Sequence, residues 1–165
     1  MAETSTPPDP AAPLPTPALE LVTRLTVEVG RPVEAGTTGR GLRRIIPITG
    51  GRADGPALAG TIEGGGNDVQ VIRPDGVAEI EARYIVITDA GMHVFIENIG
   101  VRHGSPEAMA RIVRGELVDP AEVYFRAVPR FETDDPALAW LERDLFVATG
   151  ARFPDCVRID VFRVT

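Results

Sequence analysis

Lysine is missing from this chain, and all 17 residues counted as lysine or arginine are arginine. A Schiff base needs a lysine amine. A Walker-type phosphate loop needs a lysine after its glycines. Both chemistries are excluded, so any bound anion must be held by arginine, backbone N–H groups or hydroxyls. Arginine favours bidentate capture of planar carboxylates. Cysteine is almost missing too. Cys156 stands alone, which rules out an internal disulfide and fits a cytoplasmic location. No histidine lies near it in sequence, so it reads as an inert buried thiol.

Other absences narrow the class further. No apolar run approaches the roughly 20 residues that span a bilayer, so no membrane role is expected. The opening MAETSTPPDPAAPLPTPA has neither the basic region nor the apolar core of a secretory signal. Basic residues are outnumbered, and the formal net charge of −7 is spread along the chain. Nucleic-acid binding, which is driven by basic patches, is therefore not expected. His93 and His103 are the two histidines. With no His-x-His, HExxH or cysteine pair, no metal or other cofactor is expected. No serine stands in a G-x-S-x-G elbow. Gly39-Arg40-Gly41 lacks the third glycine and the strand-to-helix setting of a dinucleotide fingerprint.

What is present is a strand-rich chain of 165 residues, long enough for one domain with a real core. Residues 1–17 form a Pro/Ala/Thr-rich tail, expected to be disordered or extended. The domain is expected over 18–165. From Leu19, apolar and polar residues alternate through Leu21, Thr23, Leu25, Val27 and Val29, the period of a strand with one buried face. Further strands are expected over 42–48, 59–62, 69–72, 77–88, 92–101 and 123–128, with the last around 157–161. Arg73-Pro74-Asp75-Gly76 is a turn signal. Asp89-Ala90-Gly91 turns one long strand into the next as a hairpin. Ser105-Pro106-Glu107 opens the clearest helix, which Gly115 can end. Asp135-Pro136 opens a shorter one through Trp140. Many strands, glycine turns and few helices point to an antiparallel barrel or a sandwich.

Residues 48–70, ITGGRADGPALAGTIEGGGNDVQ, hold seven glycines. Glycine serves where backbone needs φ > 0 or a close approach. The run ends in Asp68, so it marks a candidate pocket, with the glycines positioning the carboxylate. In the strand over 77–88, Glu79, Glu81 and Arg83 share one face; Ile80, Ala82, Tyr84 and Val86 share the other. His93, Phe95 and Glu97 share a face, and His93 with Glu97 has the makings of an acid–base pair. Tyr124 and Arg126 share a face further on. Each charged set also fits a solvated outer wall, and for Glu79 and Glu81 that is the expectation.

The order GLRRIIPITGG, GPALAG, GGGND, EARYIVIT, YFRAVPRFET and AWL resembles the DUF3237 family, a domain of unknown function, over residues 19–165. The resemblance implies a single-domain antiparallel β-barrel that self-associates, hence a homo-oligomer, with no settled activity. The matching positions include Arg43, Gly50-Gly51, Gly60, Gly65, Asp68, Arg83-Tyr84, Tyr124-Phe125-Arg126, Phe131-Glu132 and Trp140. Asp68 and Glu132 then stand as the candidate acid/base carboxylates. Arg83 and Arg126, with Arg43, are candidates to hold a substrate anion. Tyr84, Tyr124 and Glu97 would offer polar contacts, and Trp140 an apolar wall. The family pattern more often places Trp after the aspartate; here Val69 follows Asp68, a change expected to alter the pocket.

The function expected is binding of a small organic acid or carbonyl compound. A cofactor-independent enzyme of isomerase, cyclase, lyase or hydrolase type stands against two alternatives. One is a non-catalytic ligand-binding barrel; the other is a structural oligomer whose Asp/Glu–Arg network only locks the fold.

Overall fold

The structure, a computed structural model, describes residue 11 and residues 13–165. Most of the expected tail lies outside the described residues; those of 13–17 are exposed and carry no regular structure. Ten strands follow: β1 (Leu19–Val29), β2 (Val33–Thr38), β3 (Gly41–Asp54), β4 (Gly60–Ile62), β5 (Asn67–Ile72), β6 (Ala78–Thr88), β7 (His93–Gly104), β8 (Val123–Thr133), β9 (Phe146–Arg152) and β10 (Cys156–Val164). One α-helix, α1 (Pro106–Val113), leaves β7, and short 3-10 turns lie at 120–122 and 136–142.

All pairings are antiparallel, and they close. The order β1-β10-β9-β8-β7-β6 runs on through β4 and β5 to β3, which returns to β1. β4 and β5 both lie between β3 and β6, so they are two parts of one lane interrupted by residues 63–66. The result is a closed eight-strand barrel. Closure removes the exposed edges that these strands would otherwise present. β2 pairs only with β3 and extends past the ring, exposed along its length.

The sheet faces follow the period of two. In β6, Ala78, Ile80, Ala82, Tyr84, Val86 and Thr88 point inward and are buried. In β1 strict alternation fails, because a register shift between Leu21 and Thr23 buries both Val22 and Thr23. Thr23 meets its burial by donating to the Leu58 carbonyl at 2.8 Å.

The two ends of the barrel differ. One end is filled by Leu58, Ile62, Val86, Val94, Ile96, Leu141 and Phe146. Phe131 meets Phe146 edge-on with centroids 4.9 Å apart. Full burial of each such side chain contributes about 1.5–3 kcal/mol, so this end carries much of the stability. The other end is covered by α1. Ser105 caps that helix by accepting from the Ala108 N–H at 3.1 Å, and Pro106 occupies its first turn. Met109, Ile112 and Val113 face a cavity beneath it.

Candidate functional site

The barrel interior changes character rung by rung. Inward-facing residues on one strand are two apart, about 7 Å along it. Thr88 and Val86 begin in the apolar end, and Tyr84 marks the first polar rung. Next come Asp68 and Asn98, paired from either side with Ala82. One rung further, Arg44 pairs with Gln70, which pairs with Ile80. At the last rung Arg102 pairs with Ala78. Arg152, at the end of β9, joins Arg44 and Arg102 around a cavity of about 590 Å³ that also takes in Pro32, Phe153 and the underside of α1. A smaller chamber of about 20 Å³ lies below, lined by Asp68, Tyr84, Asn98 and apolar side chains from β1, β6 and β10.

Among the described residues, none of the three arginines is paired with a carboxylate. Arg44 donates Nε and Nη2 to the Gln70 side-chain oxygen at 2.9 and 2.7 Å. Arg152 donates to the carbonyls of Phe153 and Cys156. Arg102 is 4% exposed, forms no ion pair among the described residues, and its Nε has no hydrogen-bond partner there. Its guanidinium lies 5.8 Å from the Phe125 ring centroid. Burial lowers its pKa to about 10, with repulsion from Arg44 and Arg152 adding to the effect and Asp68 opposing it. Burial likewise lowers Arg44 and Arg152. Two carboxylates, Glu34 and Glu116, stand on the exposed rim, and Glu116 is taken by Arg114 at 2.6 Å. The inner wall therefore has three cations and one acidic side chain, Asp68.

Asp68 is held in place by its neighbour. Gln70 Nε2 donates to Asp68 Oδ2 at 2.5 Å. Oδ1 is buried without a partner among the described residues, as are the Tyr84 hydroxyl and Asn98 Oδ1. Burial raises the Asp68 pKa, and the Gln70 hydrogen bond, the charges of Arg102 and Arg44 and the Glu81 backbone N–H only partly offset it. Burial, with Asp68 nearby, also pushes the Tyr84 phenol up, so it remains a neutral donor. A carboxylate shifted toward neutrality inside a cavity can take and return a proton.

The structure brings Asp68 and Tyr84 together inside the barrel and places the other expected site residues elsewhere. Arg43 stands on the outer face of β3, alternating with inward Leu42 and Arg44. Arg83 is outside, paired with Glu81 and, at 2.9 Å, with Glu97. Glu97 and Glu132 share an external groove of about 470 Å³ with Arg130 and Arg143. Tyr124 and Arg126 lie on another part of the outer wall, Tyr124 stacked on His103 at 4.9 Å and Arg126 bonded to Thr149. Trp140 belongs to the 3-10 turn at the apolar end, 5.9 Å from Phe146. For those on strands the physical reason is the same: they occupy the register opposite the buried set, whereas Trp140 lies on a 3-10 turn packed against the apolar end. Val69 also points outward, paired with Ile45 and Glu81, so the missing aromatic alters the outer wall rather than the pocket. His93 faces Asp134, with Nδ1 3.0 Å from its carboxylate, and not Glu97.

Arg44, Gln70, Asn98, Arg102 and Arg152 were not singled out by the motifs. The period of two carries a signal for them: Val94, Ile96, Asn98, Gly100 and Arg102 share one face of β7, and Leu42, Arg44, Ile46 and Ile48 one face of β3. A polar residue on an apolar face marks an inward charge.

Residues 17–164 match the family DUF3237, described as a protein of unknown function. A UPF0311 protein of Rhodopseudomonas palustris is 46% identical over 151 residues, spanning 90% of this chain and 99% of that one. A crystal structure of a conserved protein of unknown function from Rhodopseudomonas palustris has a TM-score of 0.89 at 44% identity, covering 92% of this chain and 100% of that one. A β-barrel like protein from Acinetobacter baumannii has a TM-score of 0.82 at 35% identity, over 93% of this chain and 99% of that one.

Proposed function

For a chain that belongs to the DUF3237 family, whose function is not established, we propose binding of a small organic anion inside the barrel, with Asp68 exchanging a proton with the bound molecule. The observation that carries this reading is Arg102: a cation 4% exposed, with no carboxylate partner and an unbonded Nε, at the wall of a cavity of about 590 Å³. Burying an uncompensated charge is costly, and a carboxylate ligand would supply the missing partner. Arg44 and Arg152 add two further cations to the same wall.

Asp68 supplies the chemistry for the bound acid. Its raised pKa suits proton abstraction next to a carbonyl, where the arginines would hold the developing enolate. Isomerisation, cyclisation and lyase reactions share that step.

A thermal-shift screen of aliphatic and aromatic carboxylates tests the binding, because a ligand of the folded state raises its melting temperature by linkage. Stabilisation by a subset of acids in the wild type, and none in Arg102→Gln, is the expected result. Equal shifts in both proteins would remove the arginine wall from the reading. Mass spectrometry after incubation with the stabilising acids reads the chemistry: product from the wild type and none from Asp68→Asn is expected. Acids returned unchanged by the wild type would reduce the barrel to a carrier.

A further inference from the structure

Beneath the arginine wall, three polar groups face one small space. Asp68 Oδ1, the Tyr84 hydroxyl and Asn98 Oδ1 lack protein partners, and their residues are 8%, 3% and 2% exposed. They line a chamber of about 20 Å³, which holds one water-sized group. The remainder of its wall is apolar: Val27, Val29, Ile48, Ile80 and Ile159 among others. A carboxylate oxygen accepts, a phenol donates or accepts, and an amide meets a partner with either end. An O–H meets all three residues by donating to Asp68 Oδ1 while its oxygen accepts from the Tyr84 phenol and, with the Asn98 amide turned, from its N–H.

We propose that this chamber is a hydroxyl subsite, and that the barrel's ligand is a hydroxy acid whose carboxylate lies on Arg44, Arg102 and Arg152 while its O–H lies on Asp68, Tyr84 and Asn98. The inference rests on the anion-binding reading above and adds the second contact and its distance. Asp68 lies one rung below Arg44 and two below Arg102, so a carboxylate held at the Arg44 end of the wall stands about 7 Å from the hydroxyl. The Arg44–Gln70–Asp68 chain joins the two subsites. A carboxylate recruited to Arg44 competes with Gln70 for that guanidinium, and Gln70 in turn sets Asp68. Specificity follows from burial. A site built around an O–H discriminates strongly against an analogue that lacks one, because its polar groups are then left unpaired.

Calorimetric titration with three probes tests the proposal: 4-hydroxybenzoate, benzoate and 2-hydroxybenzoate. The first places its hydroxyl across the ring from its carboxylate, a span close to one rung. The second has no hydroxyl, and the third has it beside the carboxylate. Binding of 4-hydroxybenzoate at least about tenfold tighter than either of the others is expected, the scale of one hydrogen bond to a charged group. In Tyr84→Phe, which removes only the hydroxyl, the ratio of 4-hydroxybenzoate to benzoate affinity should fall at least about threefold, the scale of one neutral hydrogen bond. That ratio is taken within one variant, so general loosening of the fold does not mimic the effect. Equal binding of 4-hydroxybenzoate and benzoate by the wild type overturns the hydroxyl subsite and leaves the anion site standing. Failure of all three to bind, together with no hit among the carboxylates, overturns both.

Discussion

Gln70 donates to Asp68 across 2.5 Å while its own oxygen receives two bonds from Arg44. Two residues apart on β5, Gln70 and Asp68 point into the barrel together. The amide therefore connects the cationic wall to the buried carboxylate without letting them form an ion pair. It leaves Asp68 Oδ1 free. Replacing Gln70 with Leu removes a bond that holds the Asp68 pKa down. The Asp68 titration, followed by carbon NMR of the carboxyl, should move to higher pH in Gln70→Leu. A downward move would show that Gln70 does not stabilise the charged form.

Asp68 also makes stability depend on pH. Its pKa in the fold is raised above the unfolded value, mainly by desolvation. The folded state thus holds the proton more tightly. The stability this contributes is fully present below the ordinary aspartate range and is lost as pH rises through the folded value. Urea unfolding of wild type and Asp68→Asn across that window should show the wild type losing ground to the variant as pH rises, by at most about 1.4 kcal/mol per pH unit, then levelling. A difference that grows in the other direction would mean that the carboxylate is stabilised by its surroundings.

A buried cation without an ion-pair partner, as Arg102 is among the described residues, is expected to cost stability. Arg102→Met keeps an unbranched apolar stem and removes the unpaired buried cation, together with the guanidinium's contact with the Phe125 ring. Unfolding free energy should rise by roughly 1 kcal/mol while carboxylate affinity falls at least about tenfold. Loss of both would show that Arg102 has a partner that holds the fold.

The glycine run separates two mechanisms. Gly65 has φ +103° with nothing near its missing Cβ, whereas a Cβ on Gly66 would lie 2.6 Å from the Arg83 carbonyl oxygen and 2.7 Å from Tyr84 Cβ. Gly65→Ala should cost about 1 kcal/mol of backbone strain and spare the pocket. Gly66→Ala should cost about 3 kcal/mol and weaken ligand binding by displacing Tyr84. Denaturant unfolding and the same calorimetric titration check the two; equal effects on binding would separate the glycine bend from the site.

Much of the barrel is legible in the sequence because its strands have one wet face. The alternation in β6 states its register outright, and Ser105-Pro106-Glu107 and Gly115 bracket α1. Asp68 is legible too, since it closes the glycine run and opens an apolar strand. The site around it is harder to read. Short motifs draw the eye to Arg83, Arg126 and Glu132, but a motif carries no information on which face it presents, and these three fall on the outer one. Arg102 looks like any strand-end arginine until the inward face of β7 is read past Asn98 and Gly100. Arg152 enters only through closure of the barrel, which sets the end of β9 on the same cavity as β3 and β7, a relation that local patterning does not contain.

The assignment of inside and outside decides the functional reading, and one paired titration tests it. A carboxylate that stabilises the wild type is titrated into Arg102→Gln and Arg126→Gln. Arg102, buried on the cavity wall, should be needed: affinity should fall at least about tenfold. Arg126, exposed and bonded to Thr149, should not be: affinity should stay within about twofold, as for a surface change remote from the ligand. Loss of binding in Arg126→Gln with retention in Arg102→Gln would place the anion on the outer wall and contradict the interior site.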